Sequence, residues 1–281
     1  LWPVLLILLG IDLVLGRRAG MLSAAITAVV LIGVVAVAIG LTVRAPSAAG
    51  APALQSSDVR VPLDRATSGE ITMEVPIGTL DVGALPAKGD ALLEARTSMP
   101  AAMRLVRQSK VREGVAQVLL SATGDESLGE AFPLSWPFNS PDRRGGIVWN
   151  VLLSPTTPLT LRADVGVGQS DLDLTNLLVQ QLTLNHGAGE TTIHFPSNAG
   201  QTIADVQSGA GQLTLIVPPD VGAYIHTPKG GVVNVQVPPD RFQAVGDGYE
   251  TANYANAANR VDVTLHLGVG SVDVRSGAAH T

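Results

Sequence analysis

Cysteine is absent from the 281 residues. That excludes a disulfide framework, a thiolate metal site and a cysteine nucleophile, and it leaves the compartment open. Aromatic residues are scarce at 4% and charged residues at 15%, whereas glycine occurs 30 times. Such a composition suits many short strands and turns better than packed amphipathic helices. Positive charge is outnumbered, with a formal net charge of −6, which excludes nucleic acid as a partner. Catalytic signatures are missing as well. There is no Gly-x-Ser-x-Gly elbow and no Walker lysine motif. The five histidines, His186, His194, His226, His266 and His280, include no pair at a metal-binding spacing. The sequence therefore implies no enzyme, no cofactor and no metal.

What is present is a two-residue beat. Asp171-Leu172-Asp173-Leu174, Gln181-Leu182-Thr183-Leu184, Thr192-Ile193-His194-Phe195 and Gln212-Leu213-Thr214-Leu215 alternate polar and apolar. Asn234-Val235-Gln236-Val237 and Asp262-Val263-Thr264-Leu265-His266-Leu267 continue it. Alternation of this kind sends every second side chain to one face of a sheet. Between the strands stand Gly166-Val167-Gly168, Gly187-Ala188-Gly189, Gly209-Ala210-Gly211 and Gly268-Val269-Gly270, the first three 21 and 22 residues apart. A Gly-x-Gly can cradle phosphate when a helix follows it, but here a strand follows. Gly166, Gly168, Gly187, Gly189, Gly209, Gly211, Gly268 and Gly270 are therefore read as tight corners where φ turns positive. A fixed step near 20 residues predicts stacked coils that bury their apolar faces against one another.

The chain opens at Leu1, inside an apolar run of 16 residues that ends at Arg17-Arg18. Met21 to Val43 follow without a charge, about 34 Å at helical rise and enough to cross a bilayer. Two runs, the second longer than a signal core, argue against a cleaved signal peptide. Asp12, close to Arg17-Arg18, is read as interfacial. Two arginines in the connector against a single Arg44 after the second run put the connector inside and the rest of the chain outside. Residues 1–44 are thus expected to form an α-helical transmembrane hairpin with an incomplete N-terminus, and 45–67, Pro/Ala/Ser-rich at first, a flexible linker. Residues 68–281 are expected to form a single mainly-β, β-solenoid-like domain.

Within that domain Ile77-Gly78-Thr79 resembles one more corner with a single glycine, and 91–98 and 115–122 read as strands. Arg104, Arg107, Lys110 and Arg112 form a basic cluster, either a solvated strand face or loop or a docking patch for an acidic partner or a wall polymer. Residues 124–146 hold Pro133, Pro137 and Pro141 among Phe132, Trp136 and Phe138, a loop whose Trp136 and Phe138 suit partner contact. Residues 246–259 read as a loop or short helix inserted before the last coil. His194 and His266 fall on the outward beat, as do Asp171, Asp173, Asp262 and Asp273. Asp171 and Asp173 could pose as a glycosidase-like carboxylate pair, though surface solubility explains them more simply. Calcium-binding rolls need nine-residue double-glycine repeats, which are lacking.

Taken together, the Trp2-Pro3-Val4-Leu5-Leu6-Ile7-Leu8-Leu9-Gly10 run ending in Arg17-Arg18 resembles the transmembrane region shared by LiaI and LiaF. Val165-Gly166-Val167-Gly168, the 182–189 run and Val261 to Val274 resemble the adhesin-like toastrack β domain of LiaF C-termini. The resemblance implies a membrane-anchored, non-enzymatic protein of the bacterial envelope-stress response. It would sit in the cytoplasmic membrane with its β domain outside, contacting a sensor histidine kinase or another envelope-stress protein. An adhesion or carbohydrate-binding module without a signalling role remains the alternative.

Overall fold

The computed structural model describes residues 54–87, 89–124, 147–227 and 231–277. Fourteen strands make up this region, and no helix long and apolar enough to cross a membrane occurs among the described residues. The two apolar runs and the 124–146 aromatics Trp136 and Phe138 lie outside them.

Five long strands carry the architecture: β2 (Ser68–Ala84), β7 (Pro158–Asp173), β8 (Leu178–His194), β9 (Gln201–Val217) and β14 (Arg260–Ser276). All five run parallel in the order β2-β7-β8-β9-β14, and apart from one bulge at Gln180 near the start of the β7–β8 pair they keep one register. Where the sequence suggests two short strands around each Gly-x-Gly, the structure has one strand that bends. The ladder skips the first glycine of each corner and resumes in the same register, Val165 opposite His186 before it and Val167 opposite Ala188 and Gly168 opposite Gly189 after it.

The bend makes two sheets out of one. The first halves of the long strands form one sheet, extended past β2 by β5 (Val115–Gly124) and β4 (Met103–Arg112). Past β14 it continues through β10 (Gly222–His226), β13 (Gly248–Thr251) and β12 (Phe242–Val245). The second halves form the other sheet, extended by β6 (Val148–Leu153), β3 (Ala91–Pro100) and β1 (Leu54–Pro62), and at the far side by β11 (Val232–Gln236). The core lies in the angle between the two sheets. Ile71, Leu161, Leu182, Ala204 and Val263 form one buried row, and Val82, Leu172, Ile193, Leu215 and Val274 face it from the other sheet. Each large aliphatic side chain in these rows contributes about 1.5–3 kcal/mol by leaving water.

Two expectations are corrected here. The linker expected over 45–67 contains a paired strand, β1, because Val59 and Val61 alternate with Asp58 and Arg60 and the latter pair with Arg96 and Asp90. The loop or short helix expected over 246–259 contains β13, whose Thr251 Oγ1 accepts from the Ala223 backbone N–H.

Candidate functional site

The glycine corners set the shape of the surface beside them, and the two glycines of each pair are needed for different reasons. The second glycines, Gly168, Gly189, Gly211 and Gly270, have φ of 153°, 141°, 151° and 153°, and Gly78 joins them at 124°. The first glycines do not adopt positive φ. A β-carbon on Gly187 would strike the carbonyl oxygen of Gly166, and one on Gly166 would strike that of Pro76. The expectation of a φ-driven corner thus holds for the second glycine only, which is closely stacked as well; at the first, close stacking of backbone on backbone is the whole reason.

This stacked, side-chain-free backbone floors an open groove of about 630 Å³. Its walls include Asp164, Asn185, Gln207 and His266, which stand opposite one another on β7, β8, β9 and β14. Each lies two residues before the first glycine of its corner, so one sequence offset generates the row. Arg162 holds Asp164 through two hydrogen bonds of 2.8 and 2.9 Å, and Asn185 Nδ2 donates to the same carboxylate at 2.5 Å. The Nε2 of His266 stands 4.0 Å from Asp205. The groove therefore offers amide and imidazole groups at strand spacing, about 4.8 Å, with its one carboxylate already engaged. Such a row can recognise an extended polar chain by hydrogen bonds.

Behind the groove wall, inside the corner, lies a polar pair. His186 takes the inward position held by Val165 and Ser208 on the neighbouring strands, and is only 4% exposed. Its Nδ1 is 2.6 Å from Thr191 Oγ1, while its Nε2 has no hydrogen-bond partner among the described residues. Burial pushes its pKa below the ordinary histidine value, partly opposed by the carbonyls of Ala188 and Gly168. Parity could have found it, because Leu182, Leu184 and His186 share one beat.

The other sequence candidates are dispersed. Arg104, Arg107, Lys110 and Arg112 lie on β4, an edge strand, but not on one face. Arg104, Lys110 and Arg112 stand opposite Thr123, Gln117 and Val115 on the outer face, whereas Arg107 stands opposite buried Leu120 and reaches the Arg60 carbonyl at 3.2 Å. Asp171 and Asp173 both face outward on the second sheet, with separate roles. Asp173 accepts the Thr175 N–H at 3.1 Å and closes a turn, while Asp171 sits opposite Asp81 and 3.9 Å from His194. Desolvation, and then the charge of Asp171, push the Asp81 carboxyl above its ordinary value. Among the described residues no group of three histidine, aspartate or glutamate side chains is placed to hold a metal ion.

The arrangement of bent parallel strands has relatives. A candidate cell adhesion protein from Clostridium sporogenes has a similar structure, with a TM-score of 0.66 at 18% identity over 80% of this chain and 100% of that one. A candidate adhesin from Bacteroides fragilis aligns over 79% of this chain and 96% of its own at 10% identity and a TM-score of 0.26, too distant to bear on the argument. No curated protein sequence matches the chain. Residues 51–216, more than half of the chain and ending at the third of the long strands after β2, match the family described as the N-terminal domain of toast_rack, DUF2154. The chain belongs to that toast_rack family.

Proposed function

We propose that this chain is a membrane-anchored, non-enzymatic interaction protein of the bacterial cell-envelope stress response, acting through protein contacts and modulating a sensor histidine kinase. One observation carries the reading: a toast_rack domain follows, in the same chain, two apolar runs with a LiaI/LiaF-like pattern around Arg17-Arg18. The groove supports binding over catalysis, since its outward row consists of two amides, a carboxylate held by Arg162 and an exposed imidazole, while the imidazole–hydroxyl pair at its floor, His186 with Thr191, is buried. The full chain is purified from native membranes, and the associated proteins are identified. Recovery of a histidine kinase whose output rises when the chain is deleted supports the proposal; recovery of no kinase and no envelope protein overturns it. The side of the membrane is tested with Ser56→Cys, an exposed position in a chain without native cysteine. Labelling of intact cells by an impermeant thiol reagent is expected, and labelling only after lysis contradicts an outside domain.

A second reading, an extracytoplasmic adhesion or carbohydrate-binding module, is favoured by the amide-lined groove and by the likeness to the Clostridium sporogenes protein. It predicts that Asn185→Ala with Gln207→Ala abolishes binding to cell-wall glycan while leaving kinase recovery intact. Unchanged glycan binding rules the groove out.

A further inference from the structure

The first sheet ends differently at its two sides. At one side β4 is ten residues long, pairs only with β5 among the described residues, and carries four cations and no acid. Arg104, Lys110 and Arg112 lie exposed on its outer face. At the other side β12 is four residues long and bears no charge, with Gln243, Ala244 and Val245 exposed. Natural sheets guard their edges with charge, and β4 is guarded in this way whereas β12 is not. Immediately inside β12 the surface is acidic and aromatic. Glu250 stands between Gln243 and Tyr224, and Tyr224 stands opposite Asp262. Tyr254 donates to Asp262 at 3.2 Å, and its ring centroid lies 5.8 Å from that of Tyr224. Desolvation, followed by the charges of Asp247, Glu250 and Asp262, pushes the Tyr224 phenol above its ordinary value. His226 already stands edge-on to the Tyr224 ring at 4.4 Å and 3.1 Å from Asp262, so Glu250 beside the tyrosines is the carboxylate that an incoming guanidinium or ammonium group would meet.

We propose that the chain assembles head to tail, the basic β4 edge of one copy docking against the bare β12 edge of the next. Strand direction permits it. β4 is antiparallel to β5, β5 and β10 are parallel to the long strands, and two antiparallel steps through β13 leave β12 parallel to them. Continuing the sheet from copy to copy therefore makes an antiparallel β4–β12 pair, the more stable kind. The charges on β4 that block β4–β4 pairing are those that the Glu250 and Tyr224 surface attracts. The contact uses two different surfaces, so it does not end at a twofold dimer and each added copy presents a fresh edge to the next. It is independent of the kinase proposal.

The full chain, in detergent, is examined by sedimentation velocity across protein concentration at low and high salt. Concentration-dependent association that weakens with salt is expected, because the contact is largely electrostatic. Arg104→Glu with Lys110→Glu and Arg112→Glu should weaken association by about tenfold or more, as should Gln243→Lys with Glu250→Lys, and mixing the two variants should restore it. Thermal unfolding near that of the parent establishes that each variant is folded. A second measurement needs no charge reversal: Gln108→Cys and Gln243→Cys chains, mixed, should form a disulfide-linked heterodimer in preference to either homodimer. A monomer at every concentration, association untouched by both charge reversals, or preferential homodimers in the mixture each overturns the proposal.

Discussion

Gly189 stacks on Gly168 so closely that a β-carbon on Gly189 would overlap the Gly168 carbonyl oxygen. The same contact repeats from Gly168 to Gly78, from Gly211 to Gly189 and from Gly270 to Gly211, so one column of backbone runs through five strands. Gly189→Ala meets both this overlap and a φ of 141°. It should destabilise the domain by about 3 kcal/mol or more, read as a fall in the urea midpoint. Gly200 has a φ of 74° but nothing within 4 Å of its would-be β-carbon, so Gly200→Ala should cost only about 1 kcal/mol. Equal losses at the two positions contradict the stacking account.

The buried His186 makes stability depend on pH. Its folded pKa is lowered, so the unfolded chain binds the proton more readily than the fold. Stability is complete above the unfolded histidine value near 6.5 and is lost as pH falls from there toward the folded value. His186→Val with Thr191→Val removes both partners of the 2.6 Å bond and should flatten this dependence between pH 7.5 and 5.5. His186→Val alone strands the Thr191 hydroxyl and should be less stable than the double variant by about 1 kcal/mol. A pH dependence identical in parent and double variant contradicts the assignment.

Asp81 works in the opposite sense. Its folded pKa is raised, so its ionised form weakens the fold at neutral pH and the loss fades as pH falls through the folded value. Asp81→Asn should therefore stabilise at pH 7 by less than about 1 kcal/mol, the site being half open to solvent. The gain should vanish near the unfolded value of 3.8. Asp171→Asn should give part of the same gain; a loss from either substitution contradicts the reading.

Arg241 binds the turn that starts the β10–β13 insertion. Its guanidinium donates to the carbonyls of Val217, Pro218 and Val221 at 2.7, 2.5 and 3.0 Å. One ammonium cannot span three such acceptors, so Arg241→Lys should fail to rescue Arg241→Ala. Each should cost about 2–3 kcal/mol in urea unfolding. Full stability of the lysine variant contradicts this geometry.

Much of this molecule was legible in its sequence where the information is local. The beat around Leu172, Leu182, Ile193 and Leu215 is the beat of the core, and the glycine pairs mark the bend. Even Gly78, a single glycine, proved to be the fifth rung of the column. What stayed hidden is long-range. Nothing in the 68–84 pattern says that the first half of β2 pairs with β5 and its second half with β6, which is how one strand serves two sheets. The groove was missed for another reason. Asp164, Asn185, Gln207 and His266 share no chemistry that draws the eye, and only their common offset from the corner glycines unites them. A histidine on a strand is expected in water, which hides His186, although its parity with Leu184 points inward. Arg104 and Arg107 share a sign, but their odd separation sends them to opposite faces of β4.

The account rests on five bent strands held in one register, so that outward side chains line up across the stack. The direct measurement places cysteines at Thr79 and Gln169, partners on β2 and β7 that many residues separate in sequence. Adjacent parallel strands hold α-carbons about 4.8 Å apart, within disulfide reach. The account predicts a quantitative intramolecular disulfide under mild oxidation with the fold retained, and little bridging from Thr79 to a cysteine at Asp171. Failure of the first bridge together with efficient formation of the second would mean a different register, and the aligned groove and glycine column would go with it.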